Sequence, residues 1–591
     1  MGNKDAGNLS MQESVSPAQN EMYADFIVKY MDDFQEDLGD VPGFSFQKIN
    51  GIYGVVYAPL TEIGRWNINT YSYSSIPKCY THMDLGGLSA SGITRLQEHP
   101  YLQLKGSGTA VAVVNSGIDY RNPVFQNEMG SRILCIWDQT LEGDGKEVPY
   151  GRVFWKKDID QALASGNPLE IVPSVDTDGH GTRMAAIAAG NYFPEENFSG
   201  AAPEAMLIIV KVKPAKKYLR EFYLFPAEAE LFQENDIMMG IKYLRVIADR
   251  FRRPLVTLLG LGTNYGSHTG TSPLSQVTQN YGGFFGIATV IAAGNETGLA
   301  HHYAGRFSAD TSFEDVELRV GEEEGKRGFI LELWSSAADL YTVGFVSPGG
   351  ERISRIPILS NNETRIPFLL ESTVITVSYQ LIEAGSGSQL VSMRFERPSP
   401  GIWTIRVYNT QFLTGEYHMW LPVQGFISDE TVFLKPDPSN TITVPGNSRL
   451  PITTGAYNHR NNSIYIHSSR GYTSRDYVKP DLAAPGVEIL GPSVRISAAF
   501  RPGLSSSVAA GTAPAFSRRT GTSAAAAITA GAVANLLSWG IVMGNYPTMS
   551  EASIKSYLIR GAARNPSLTY PNKEFGYGTL DLLQTFLRLR E

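Results

Sequence analysis

The chain has 591 residues, 42% hydrophobic and 18% charged, enough to bury a large core and to make two or three folded units. Fifty basic against 58 acidic side chains leave a net charge of −8, so there is no basic field to hold a phosphate backbone and nucleic acid is not an expected partner. Cys79 and Cys135 are the only cysteines, too few for a disulfide scaffold, a zinc ribbon or an iron–sulfur site, and they fit an intracellular or redox-indifferent protein.

In chain order, residues 1–21 are polar and aperiodic and read as a disordered leader. They hold no apolar core, so neither a secretory signal nor a membrane anchor is expected there. From Met22, the segments FIVKYMDD, FSFQKINGIYGVVYAPL and INTYSYSS cluster apolar and aromatic residues as short strands do, with a turn signal at Asn50-Gly51. This is a small α/β unit. After Gly106, TAVAVVNSGI, AMLIIVKV, PLVTLLGLG and ATVIAAGN are uninterrupted apolar runs, and NDIMMGIKYLRVIADRF has a helical period. Their alternation predicts a doubly wound, parallel α/β sheet whose ligands lie beyond the carboxyl ends of the strands.

Between about residues 306 and 444 the pattern changes to DVELRV, GFILELW, LYTVGFV, TVITVSY, QLVSMRF, GIWTIRVY and GEYHMWL, separated by turns, which predicts an all-β sandwich or jelly roll. The α/β pattern resumes afterwards, so the β unit is an insertion. Ser523 to Met543 is 21 residues long without a charge, the length of a membrane-spanning helix. It is rich in Ala and Gly, carries Thr529, Asn535 and Ser538, and has no flanking basic cluster, so a buried core helix is expected.

Three segments carry the chemistry: VAVVNSGID (111–119), DTDGHGTRMA (176–185) and TGTSAAAA (520–527). A serine hydroxyl needs a histidine to take its proton, and the histidine needs an acceptor on its other nitrogen. With AAGNETG (292–298), KPDLAAPG (479–486) and FGYGTLD (575–581) in the same order, the α/β part resembles the subtilisin-like serine proteases. The resemblance implies a subtilisin fold, Ser523 as nucleophile, His180 as general base and Asn295 as a donor to the oxyanion. Leu259, Gly260, Leu261 and Gly262 would line the substrate cleft. Gly260-Leu261-Gly262 also begins like a nucleotide loop, but the dinucleotide spacing fails at Tyr265.

Two residues depart from the family pattern. Asn115 stands where the family places the aspartate that orients the histidine, and Arg183 where a second histidine usually follows. An amide at position 115 can turn its NH₂ to the histidine, favour the wrong tautomer, and in any case cannot balance an imidazolium. Asp119, four residues on, cannot simply take its place.

SRILCIWDQT (131–140), the approach to His180, PLVTLLGLGTNYGSH (254–268) and the inserted β unit are most similar to the clostridial Csp germination proteases. That resemblance implies a prodomain over 22–84, ending in SIPKCYTHMD and remaining in the cleft as a partner of the catalytic unit. The core would then span 85–305 and 445–591, with the jelly roll at 306–444. It also implies location in a bacterial spore, and either a protein zymogen such as a cortex-lytic enzyme precursor as substrate or a pseudoprotease that regulates or senses germination. No cofactor and no metal site are expected: the nine histidines include no HExxH pair. The acidic segment LEGDGKE reads as a solvated turn, with calcium as the second reading.

Overall fold

The computed structural model describes residues 16–30, 43–64, 67–82, 89–143, 145–308, 310–359, 362–411, 413–494 and 515–589. Strands that are apolar on both faces must be covered on both, and the four uninterrupted apolar runs are placed accordingly. They form β1 (Ala110–Asn115), β2 (Met206–Lys211), β3 (Leu255–Leu259) and β4 (Ile287–Ala292), followed by β5 (Ile452–Asn458). The strands run parallel in the order β5-β4-β3-β1-β2. Leu482–Pro485 pairs with β5 and Ile133–Asp138 with β2, both parallel, while Ser463–Ile464 and Arg152–Trp155 pair antiparallel at the two edges. The chain leaves β1 for β2 on one side and returns to β3 on the other. The strand order therefore reverses at β1, and Asn115 ends that strand at the switch point.

On one face α1 (His180–Ala189) and α2 (Thr522–Leu537) pack on each other and on the sheet. Every residue of α2 is buried. Its small side chains let neighbours come close: a β-carbon on Gly531 would lie 2.3 Å from that of Ala201. The apolar window within Thr522–Val542 is 83% buried inside the fold, the burial of a core helix. Glu234–Phe251 and Pro273–Gly282 cover the other face, where Ile237, Met238, Ile241 and Leu274 meet Val114, Val210 and Leu259.

Between β4 and β5 the chain builds two antiparallel sheets, one of six strands and one of five, whose inner faces share one core. Trp403, Tyr341 and Tyr417 are fully buried in it. Alternation of burial along Phe313–Val320 shows a half-exposed sheet face.

The N-terminal unit is a three-stranded antiparallel sheet in the order Tyr23–Lys29, Tyr53–Pro59, Ser45–Lys48. Asn50 makes the expected turn, its Oδ1 accepting from the N–H groups of Ile52 and Tyr53 at 2.8 Å. INTYSYSS, expected as a strand, instead forms turns and a short 3-10 helix at Tyr73–Ser75. The Asn67 side chain accepts from the N–H groups of Asn69 and Thr70 and curls the backbone there. Residues 16–20, counted in the expected leader, are ordered and pack on the core, where Ala18 is buried and Gln19 Nε2 donates to the carbonyls of Gln139 and Leu141. Residues 1–15 lie outside the described residues.

The β sandwich meets the core through a stack of rings. His268, from a core loop, lies flat on Trp420 at 3.9 Å, and His302 and His418 stack on the same indole. His302 Nδ1–H donates to the Asp437 carbonyl at 3.0 Å, so its Nε2 accepts from His418 Nδ1–H, also at 3.0 Å. Burial pushes His268 and His418 down to about 4, and burial with the neighbouring His418 pushes His302 well below the usual range. A folded pKa below the unfolded one means that the unfolded chain binds the proton first. Stability is therefore complete above about pH 6.5 and falls toward pH 4, by at most roughly 3 kcal/mol per imidazole. Buried Glu551, pushed up to about 8 by burial, acts in the opposite sense, so the imidazole contribution is read as a difference: between pH 7.5 and 5 the thermal midpoint of His302→Gln should shift less toward lower values than that of the unaltered chain. The same pH dependence in both chains would contradict the assignment.

Candidate active site

β1 ends at Asn115, which is fully buried. The first turn of α1 reaches this strand end because position 181 is glycine: a β-carbon there would lie 2.2 Å from the Gly117 carbonyl oxygen. The approach brings His180 Nδ1 to 3.0 Å from Asn115 Oδ1.

The other contacts of Asn115 decide how its amide faces. Oδ1 accepts from the Ser116 backbone N–H at 2.8 Å, while Nδ2 meets the Met184 thioether at 3.6 Å. Turning the amide over would set its NH₂ against the Ser116 N–H, donor against donor. Oδ1 therefore faces the ring, Nδ1 carries the imidazole proton, and Nε2 keeps the lone pair that a general base uses. The inverted amide that the sequence left open is not the arrangement adopted. What Asn115 lacks is charge, not direction.

Ser523, the second residue of α2, is buried, and its Oγ makes no hydrogen bond. Hydroxyl and imidazole are thus not bonded to each other in this state. A β-carbon on Gly260 would lie 3.1 Å from Ser523 Oγ and 2.5 Å from Met184 Sδ, so the segment after β3, the serine and Met184 converge at one point. Asn295 follows β4, and its Oδ1 accepts from the N–H of Thr522 at 3.1 Å and from its hydroxyl at 3.2 Å. Those contacts fix the Asn295 amide with its NH₂ turned away from Thr522. An amide NH₂ and the N-terminus of a helix beside a serine hydroxyl can receive a developing negative oxygen.

Arg183 has an account in the structure. Its guanidinium reaches Ser517 Oγ at 2.6 Å and the Pro492 carbonyl at 3.4 Å, tying α1 to the hairpin of Ile489–Pro492 and Phe516–Arg519. Asp119 pairs with Arg121 Nε at 2.7 Å, and the residue at His180 Nδ1 is Asn115. Sequence reasoning passed over Ser116 and Asp176, although both lie inside the segments that carry the resemblance. Asp176 is buried and accepts from the N–H groups of Gly179 and Thr182 and from the hydroxyls of Thr182 and Ser116. An acid in the turn four residues before the histidine was the available signal.

Beside this group, Cys79–His82 forms the middle strand of a three-stranded antiparallel sheet, between Phe232–Gln233 and Leu261–Gly262. His82 pairs with Leu261, Thr81 with Gly262, Tyr80 with Phe232 and Cys79 with Gln233. Of the four residues expected to line the cleft, Leu261 and Gly262 pair in register with His82 and Thr81, the Leu261 side chain itself lying in the core, and Gly260 faces Ser523. Leu259 is a correction: it belongs to β3, and its side chain is buried in the core. The preceding Lys78 is also buried, its Nζ donating to the carbonyls of Tyr73 and Ile76 at 2.6 Å, and burial lowers its pKa. Among the described residues, no group of three or more His, Cys, Asp or Glu side chains is arranged to hold a metal ion.

The subtilase family profile matches residues 106–312 and 430–578. The chain belongs to the subtilase family. Its structure is similar to that of the Clostridium perfringens CspB protease, with a TM-score of 0.72 and 30% identity over 85% of this chain and 97% of that one. Fervidolysin from Fervidobacterium pennivorans, a keratinolytic enzyme related to subtilisin, aligns with a TM-score of 0.48 and 13% identity over 96% of this chain and 61% of that one. Subtilisin-like protease SBT1.9 of Arabidopsis thaliana is 27% identical over 121 residues, 18% of this chain. The match spans only 16% of that relative's length.

The convergence at Gly260 is testable by stability. Gly260→Ala should destabilise the subtilase by about 1–3 kcal/mol through overpacking on Met184. Combined with Met184→Ala, which itself opens a cavity, the loss in chemical denaturation should be clearly smaller than the sum of the two single losses. Additive losses in the double variant would place the strain elsewhere.

Proposed function

We propose that the protein is a serine endopeptidase of reduced turnover. The observation that carries this reading is the Asn115 oxygen, rather than its NH₂, facing His180 Nδ1 at 3.0 Å. Ser523 Oγ attacks the peptide carbonyl carbon as His180 Nε2 takes its proton. The Asn295 amide and the Ser523 N–H, at the start of α2, stabilise the oxyanion. Collapse expels the amine, which receives the proton from Nε2, and water repeats the sequence on the acyl-enzyme. Replacing the triad aspartate by asparagine in a serine protease of another fold costs about 10⁴ in turnover, a loss ascribed to the wrong tautomer. Here the tautomer is kept, so the loss should be smaller.

On this reading the cleft takes an extended polypeptide, and the pairing of residues 79–82 with Phe232–Gln233 and Leu261–Gly262 supports the N-terminal unit as the first partner of the site. Likeness to the CspB protease supports a germination-type enzyme acting in a spore on a protein zymogen, such as a cortex-lytic enzyme precursor. A second reading, a noncatalytic regulator, draws support from the uncharged Asn115 and from a Ser523 hydroxyl with no hydrogen bond.

Intact mass separates the two. The register of Cys79–His82 runs toward Gly260 and Ser523, so self-cleavage is expected shortly after His82, before Gly86. The unaltered protein should lose that N-terminal piece slowly, Asn115→Asp at least tenfold faster, and Ser523→Ala not at all. Processing of Asn115→Asp alone would establish the regulator instead.

A further inference from the structure

His180 has lost the carboxylate its family supplies, yet one buried carboxylate stands a single side chain further out. Ser116 Oγ lies 2.9 Å from Asp176 Oδ1 and 3.2 Å from Asn115 Oδ1, and Asn115 Oδ1 lies 3.0 Å from His180 Nδ1. All four residues are buried. We propose that Asp176 is a positioning residue that supplies, through Ser116 and Asn115, the negative field that His180 needs when it becomes an imidazolium.

The hydroxyl of Ser116 has one proton, and the shorter contact assigns it to Asp176. Gly181 N–H donates into the same hydroxyl oxygen at 3.2 Å, so Ser116 has its orientation fixed from two sides. No proton moves along this chain. The carboxylate acts by its field, which a buried, weakly polarisable site leaves largely unscreened. The same carboxylate also accepts the N–H groups of Gly179 and Thr182, on either side of His180, so charge and ring position are set by one group.

The other charges around His180 do not serve in this way. Lys211, paired in register with Asn115, is balanced by Asp138 at 3.3 Å, and Asp119 is paired with Arg121. Asp178 accepts the His180 backbone N–H at 3.0 Å, and Arg183 reaches along α1 to Ser517. Asp176 is linked to the Nδ1 side of the ring by side-chain contacts.

The inference rests on the enzyme reading for its consequence, but its test does not need activity. In the full chain carrying Ser523→Ala, the His180 ring is titrated by NMR with labelled histidine and assigned with His180→Gln. Asp176→Asn should lower the His180 pKa by roughly one unit, since a buried anion two side chains away favours the charged ring. Ser116→Ala should lower it by less, and Ser116→Thr, which keeps the hydroxyl, should leave it in place. An unchanged His180 pKa in a folded Asp176→Asn chain overturns the proposal and leaves Asp176 as a brace of the turn. If that variant does not fold, the Ser116 pair decides: equal values in Ala and Thr overturn the proposal, and a fall in Ala alone sustains it. In the chain with Ser523 intact, absence of labelling by a fluorophosphonate would sink the enzyme reading while leaving the titration result standing.

Discussion

A single backbone donor governs the site. The Ser116 N–H is buried at the end of β1 and needs an acceptor, because an unsatisfied buried amide costs roughly 1–3 kcal/mol. Asn115 Oδ1 is that acceptor at 2.8 Å, which obliges the amide to present oxygen to His180 as well. One oxygen thus satisfies the backbone and selects the histidine tautomer. The Met184 thioether accepts little from Nδ2, but it offers no competing reason to turn the amide over.

Holding that oxygen in place is a matter of packing. β1 is the switch strand of the parallel sheet, and its end is where α1 can approach. The approach depends on Gly181 lying on Gly117, and that of β3 on Gly260 lying against Met184 and Ser523. α2 brings Ser523 to the same point because its Ala and Gly side chains let it sit deep between α1 and the sheet. The N-terminal unit adds its own anchorage. Asp25, on its first strand, is buried and accepts from Lys216, from Gln233 at 2.7 Å and from Asn235 at 2.9 Å. A buried carboxylate so fully paired is costly to expose, and removing one partner would leave an uncompensated charge. The strand Cys79–His82, paired with Phe232–Gln233 and Leu261–Gly262, follows this anchored unit in the chain.

Much of this was legible in the sequence. Short apolar runs bounded by turn residues and without a polar face read as inner strands, and β1 to β4 fall on them. The segments around Asn115, His180, Asn295 and Ser523 named residues that the fold brings to one place, although they are far apart in the chain. Three things were not legible. The direction of an amide depends on contacts at Ser116 and Met184, which no local pattern encodes. Leu259 looks like a cleft residue beside Gly260, but it is the last residue of a strand covered on both faces, so its side chain lies in the core. INTYSYSS has strand-forming residues, yet Asn67 offers its backbone a turn, and the turn prevails.

The arrangement also bears on why a weakened site could persist. A histidine with the right tautomer but no adjacent carboxylate loses stabilisation of its imidazolium, which slows every turnover equally. The strand at residues 79–82 is joined to the site by the chain itself, and its local concentration is set by the fold rather than by diffusion. A cut within the same chain need happen only once, so slow chemistry suffices for it. On the proposed enzyme reading, cutting another protein would require that this strand first give up its pairing with Phe232–Gln233 and Leu261–Gly262, so that its release, and not only the missing charge, would limit what the site does in trans.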